Sequence, residues 1–203
     1  MKVYQSYLLI LTMMTTSLSY GDGIVDLVAK AQKGDAAAQM ELGVMYSKGE
    51  GVTKDLTEAV KWLTKAAEQG NVEAQMKLGG MFISGKGVLR NSSEAAKWFT
   101  MSANVGNAAA QTQLGRMHLT GAGVPKDDVE ACKWATLAAA QGDPAAKKVI
   151  AFLLTRMTPV QIAESKQRSQ VFMDLKNAVI PLDLPTDAPE IPVQALPLLV
   201  PEQ

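Results

Sequence analysis

Tryptophan occurs three times in this chain, at Trp62, Trp98 and Trp134, and the three are spaced 36 residues apart. The same interval aligns Gly34, Gly70, Gly106 and Gly142, then Ala38, Ala74 and Ala110, then Gln39, Gln75 and Gln111. Leu42, Leu78 and Leu114 follow, each with its own glycine, Gly43, Gly79 or Gly115. Met45, Met81 and Met117 come next, then the turns GEGV, GKGV and GAGV, then Ala59, Ala95 and Ala131 ahead of each tryptophan. A unit of this length cannot bury its apolar face alone. It must stack on its neighbours, so the period dictates an array before any element is assigned.

Each unit reads as two helices. With Leu42 as origin and about 100° per residue, Ala38, Gln39, Met45 and Tyr46 fall on one buried stripe, and Met40, Val44 and Ser47 lie opposite. In the second half Ala59, Trp62, Leu63 and Ala66 form another stripe, with Lys61 turned away. The second helix opens three times on the same pair, Asp55 with Glu58, Asn91 with Glu94 and Asp127 with Glu130, which predicts a capping box or a close variant. Gly70, Gly106 and Gly142 are expected to end these helices in left-handed geometry.

The stretch GEGVTKDLTEAVKW raises the question of a phosphate loop. A P-loop needs GxxxxGK[ST] after a strand, and a dinucleotide fingerprint needs a third glycine three residues past the second. Neither spacing is present, and the glycines recur between two helical stripes, so they are read as turn residues.

The units AQMELGVMYSKGEGVTKDLTEAVKWLTKAAEQG, AQMKLGGMFISGKGVLRNSSEAAKWFTMSANVG and AQTQLGRMHLTGAGVPKDDVEACKWATLAAAQG together resemble SEL-one-like repeats, a branch of the tetratricopeptide superfamily. The resemblance rests on the unit length, the LG pair, the GxGV turn, the AxKW core and the closing glycine, and spans residues 34–142 closely. It implies an all-α protein: a right-handed α-solenoid of αα-hairpins with the first helices lining a concave face. It also implies a role in holding other proteins together, and no catalysis.

The expected organisation follows. Residues 1–19 have the layout of a secretory signal, with Lys2 before the apolar run Tyr7 to Met14 and small residues at Ser17 and Ser19; cleavage falls after Ser19 or after Gly21. Thr12, Thr15, Thr16 and Ser17 interrupt the run well short of the roughly 20 apolar residues a membrane span needs. Residues 20–33 form an N-terminal capping helix, and three repeats occupy 34–69, 70–105 and 106–141 within the repeat domain 34–142. Residues 143–177 hold a degenerate half repeat, with a first helix from Pro144 to about Met157. A C-terminal capping helix follows, with Ile162, Phe172 and Leu175 sealing the array. Residues 178–203 carry six of the nine prolines and four acids without a base. This tail is either a disordered terminus or an extended ligand for a partner or for the protein's own groove.

Twenty basic and twenty acidic residues cancel, which excludes the basic excess of a nucleic-acid binder, and a single cysteine excludes an internal disulfide. His118 occupies the position of Tyr46 and Phe82, a packing site for a flat ring. Cys132 occupies that of Val60 and Ala96, a small apolar site. A Cys–His pair would need both to leave those roles, and one of each cannot build a zinc shell. No catalytic, metal or cofactor residue is therefore expected.

The positions that vary while the scaffold repeats are the candidates for binding: Met40, Glu41, Val44, Met76, Lys77, Ile83, Thr112, Gln113, Arg116 and Leu119. Apolar Met40, Met76, Ile83 and Leu119 edged by Lys77 and Arg116 suit a peptide or helix with apolar anchors. For Ile83 and Leu119, packing between adjacent hairpins is the competing reading. The expectation is an exported monomeric adaptor in the periplasm of a Gram-negative bacterium or outside the cell, binding a protein or peptide. It would regulate envelope enzymes or signalling receptors, take no cofactor and have no membrane insertion after cleavage. The alternatives are a cell-wall-active enzyme or a secreted host-interaction factor.

Overall fold

The computed structural model describes residues 23–177, and every regular element among them is helical. Helix α1 covers residues 23–32. Three hairpins follow: α2 (Ala36–Lys48) with α3 (Leu56–Glu68), α4 (Val72–Ser84) with α5 (Ser92–Asn104), and α6 (Ala108–Thr120) with α7 (Asp128–Ala140). Helices α8 (Pro144–Leu154) and α9 (Pro159–Asn177) complete the order. The array is an α-solenoid up to Ser169. Residues from Gln170 onward belong to a second unit, whose described part is the end of α9. The signal segment 1–19 and the proline-rich tail 178–203 lie outside the described residues.

Each first helix starts on an Asp or Asn whose side-chain oxygen accepts from an otherwise orphaned amide: Asp35 from Ala38, Asn71 from Ala74, Asn107 from Ala110 and Asp143 from Ala145 and Ala146. Those two amides hold the Asp143 carboxyl below the usual carboxylate range. The second helices start the same way at Asp55, Asn91 and Asp127. Here the expected capping box is only half built. The Asp55, Asn91 and Asp127 amides donate not to the glutamate three residues on but to the Tyr46, Phe82 and His118 carbonyls of the preceding helix, each at 3.0 Å. Left without that partner, Glu58, Glu94 and Glu130 instead pair with Lys61, Lys97 and Lys133 one turn along. The reciprocal box does form once, at α9, where Thr158 N donates to Gln161 Oε1 at 2.9 Å and Gln161 N to Thr158 Oγ1 at 3.3 Å.

Within a hairpin the two helices meet where the LG glycine leaves room. A Cβ on Gly79 would overlap the Phe99 ring, and one on Gly43 would lie 2.7 Å from Leu63 Cγ. At Gly115 the facing residue is the smaller Ala135, and the close neighbour becomes the Ala131 carbonyl. Alanines line the same seam, with Ala59, Ala66, Ala74, Ala95, Ala103, Ala110, Ala131 and Ala138 all buried. Small residues on both sides bring the backbones close enough for Leu42, Leu78 and Leu114 to be fully enclosed. Trp62 and Trp134 are buried, and Trp98 is half-buried against the Leu63–Leu78 cluster. The turn between helices also reaches backward. Gly123, at φ 78°, has no space for a Cβ because the turn rests on the Ser92 carbonyl at the start of the previous second helix.

Glutamine joins one unit to the next. Gln39, Gln75 and Gln111 are buried, and their side-chain amides donate to the Ala31, Ala67 and Ala103 carbonyls at 2.9, 3.1 and 3.2 Å. Gln69 and Gln141 then donate to the Gln39 and Gln111 side-chain oxygens at 2.7 and 2.8 Å. The matching residue in the middle unit is Val105, and Gln75 Oε1 is buried without a hydrogen bond among the described residues. The same bond identifies α1. Ala31 takes the place of Ala67, so α1 sits in the register of a second helix. Where that register puts buried Trp62 and Ala66, α1 has Asp26 and Lys30, exposed and paired at 2.7 Å. A polar outer face of this kind closes a repeat array.

At the other end α8 keeps the first-helix register but stops at Leu154 rather than near Met157, because Thr155 turns the chain and Met157 drops into the core instead. Ile162 packs on the cluster containing Val129, Cys132, Val149 and Leu153. Leu175, expected to seal the array, is 72% exposed. The polar side of α9 does the sealing: Arg168 pairs with Glu130 and Glu164, and Ser169 Oγ donates to the Lys133 carbonyl at 3.4 Å. Burial acts to raise the Glu130 carboxyl, but the hydrogen bonds from Arg168 and Lys133 prevail and hold it below its usual range.

Two outcomes are expected. Val105→Gln supplies the missing donor for Gln75 Oε1, so thermal denaturation should show a gain of about 1 kcal/mol, roughly 2–4 °C. An unchanged or lower midpoint would show that the orphaned oxygen costs nothing. Because the folded-state pKa of Glu130 is depressed, its contribution is complete above the ordinary glutamate value of about 4.3 and is lost as pH falls through the folded value. Glu130→Gln should therefore flatten the acid limb of stability against pH, and parallel acid limbs in urea titrations would contradict this.

Candidate protein-binding surface

Because α2, α4 and α6 bury the columns starting at Ala38, Ala74 and Ala110, their remaining positions form a row facing away from the second helices. Glu41, Gln113 and Arg116 are exposed on that row, and Val44 and Lys77 are half-buried. Lys77 Nζ lies 3.2 Å from Glu73. Met40, Met76, Ile83 and Leu119 are half-buried because they bridge between units. Met40 packs on the cluster around Leu63 and Leu78, Met76 and Ile83 on that around Phe99 and Met117, and Leu119 on that around Val129 and Leu153. Thr112 is buried, at 4% exposure. The geometry thus gathers Glu41, Val44, Lys77, Gln113 and Arg116 at the surface and sets the four apolar residues beneath as spacers.

Gly80, Lys148 and Phe152 also belong to this row. Residues 44, 80, 116 and 152 repeat at the same 36-residue interval, and Phe152 is 52% exposed with the Arg156 guanidinium 5.7 Å from its ring. The period itself points to Phe152. The signal is lost only because α8 lacks the LG and GxGV markers that make the other units recognisable.

The groups able to do chemistry hold structural positions. His118 Nδ1 lies 3.2 Å from the Pro125 carbonyl, and since a carbonyl only accepts, the contact places the ring proton on that nitrogen. Cys132 is buried in the cluster with Val129 and Leu153. Lys65 and Lys133 stand over the Trp62 and Trp134 rings at 4.3 and 4.5 Å, covering the indoles rather than leaving them as a platform. Among the described residues no three His, Cys, Asp or Glu side chains group to hold a metal. A cleft of about 480 Å³ near the start of the array is lined by Leu27, Glu41, Met45 and Glu50.

Comparison with known proteins agrees with this architecture. The family model described as the Sel1 repeat matches residues 36–71, 72–107 and 108–143. A crystal structure of a Sel1 repeat protein from Oxalobacter formigenes is similar at a TM-score of 0.60 and 40% identity, over 64% of this chain and 97% of that one. Over 40 residues the chain is 50% identical to the secretory immunoglobulin A-binding protein EsiB of Escherichia coli O6:H1, which is 20% of this chain and only 8% of that protein. Sel1 repeats typically mediate protein–protein interaction, and their scaffolds are generally non-catalytic. With three consecutive units matched over more than half its length, the chain belongs to the Sel1 repeat family.

Proposed function

We propose that the chain is an exported adaptor that holds a protein or peptide partner on the row of first helices and acts, as a monomer, in the periplasm or outside a Gram-negative cell. The observation that carries this reading is the contrast between columns. On the first helices the buried positions keep their residue from unit to unit, as at Ala38, Gln39, Leu42 and Gly43 and their counterparts, whereas 41, 77 and 113 read Glu, Lys and Gln, and 44, 80 and 116 read Val, Gly and Arg. A surface held rigid underneath and varied on top suits recognition of one specific ligand.

Export is supported by the layout of residues 1–19, and no helix among the described residues is long and apolar enough to cross a membrane. The named ligand of EsiB, secretory immunoglobulin A, makes an extracellular protein partner a fitting example for this chain as well. Regulation of envelope enzymes or signalling receptors is the role an adaptor in that compartment would have. A cell-wall-active enzyme is the less favoured reading, since His118 and Cys132 are committed to packing.

Wild-type protein immobilised and exposed to periplasmic extract should retain a defined partner. The triple variant Lys77→Ala, Gln113→Ala, Arg116→Ala should lose it at least roughly tenfold while keeping its thermal midpoint. Equal retention by the variant would move binding off this row. Incubation with peptidoglycan should release no soluble fragments, and their appearance would favour the enzyme.

A further inference from the structure

Gly80 is a helix-interior glycine that the fold does not need. Its neighbour Gly79 is required by the Phe99 ring, but a Cβ on Gly80 would meet nothing within 4 Å, its backbone is helical and the position is exposed. Such a glycine lowers helix stability without any packing return, and what it does provide is bare backbone that another chain can approach closely. It lies in the row between Val44 and Arg116, with Phe152 one unit further on.

The charge along the row is uneven. Helices α6 and α8 contain no Asp or Glu. Arg116 and Lys148, both exposed, form no ion pair among the described residues, unlike Lys77, which Glu73 neutralises. Two cations without an ion pair thus stand on the same row as an exposed phenyl ring and a glycine notch. With packed helices spaced on the order of 10 Å, the stretch from Gly80 to Phe152 spans about 20 Å, which about six extended residues cover.

Resting on the adaptor reading above, we infer that the partner is an extended acidic peptide segment, lying over Gly80 with its carboxylates on Arg116 and Lys148 and an apolar residue against Phe152. Opposite charge orients the segment, and the absent Cβ sets how near its backbone comes. A free polyanion would use the two cations but would have no need of the notch or the ring.

The test uses the full chain and a fluorescein-labelled peptide of about ten residues, in which leucines alternate with Asp and Glu and two prolines keep it extended. Its control carries Asn and Gln in place of the acids. Anisotropy should report binding of the acidic peptide, weakened by salt, and none of the control. Arg116→Glu should weaken binding at least about tenfold. Gly80→Ala should raise the thermal midpoint by about 2–4 °C and yet weaken binding at least about fivefold, a combination that a purely structural glycine does not give. Equal binding of both peptides or unchanged affinity in Gly80→Ala would each overturn the inference. If the acidic peptide fails while the triple alanine variant still sheds its captured partner, the partner is of other chemistry and the adaptor reading stands. If capture is also indifferent to the row, both fall.

Discussion

The structure depends on one steric condition: the first helix of each unit must carry no side chain where the second helix crosses it. Gly43, Gly79 and Gly115 meet that condition, and the facing residues Leu63, Phe99 and Ala135 take up the space in three different ways. A glycine in a helix interior is unfavourable in isolation, so its presence in every unit marks a contact that more than offsets the loss. Close approach there lets the alanine seam mesh and the central leucines become fully buried. It also brings the start of each second helix within reach of the carbonyls of the first, so that Asp55, Asn91 and Asp127 are tied across the hairpin through their amides.

Between units the contacts change character. The seam inside a hairpin is apolar and built from small residues, whereas the joint from one hairpin to the next adds a buried side-chain amide bonded to a helix-end carbonyl. Directed bonds of this kind specify register where apolar packing alone tolerates slippage, and each buried amide left short of a partner carries a cost. At its start the array exchanges apolar for charged residues in the same register, Asp26 and Lys30 on α1, and at its other end Arg168 of α9 pairs with Glu130 of α7. Binding is then left to residues that neither the seam nor the joint uses.

The period of 36 made the hairpins, their glycine ends and the tryptophan positions legible in the sequence, because each is a local consequence repeated three times. The half-formed capping boxes were not legible. Asp55 and Glu58 have the spacing of a reciprocal cap, but the competing acceptor, the Tyr46 carbonyl, is brought there by tertiary packing that no local pattern encodes. The same limit applied to Met40 and Met76. Their angle on the helix puts them opposite the core stripe, yet a solenoid helix has a second neighbour, and they pack against it. Phe152 was hidden by the loss of the unit's markers in α8, and Leu175 misled because apolar character alone does not bring a side chain under cover.

The most direct test of this account is the unfolding free energy of Gly79→Ala, measured by urea denaturation alongside Gly79→Ala combined with Phe99→Leu. A Cβ at residue 79 overlaps the Phe99 ring, so the single variant should lose about 1–3 kcal/mol, and trimming the ring should recover part of it. If Gly79→Ala is instead as stable as the parent, or more so, as replacement of an ordinary helical glycine would be, the close crossing is not what holds the hairpins together.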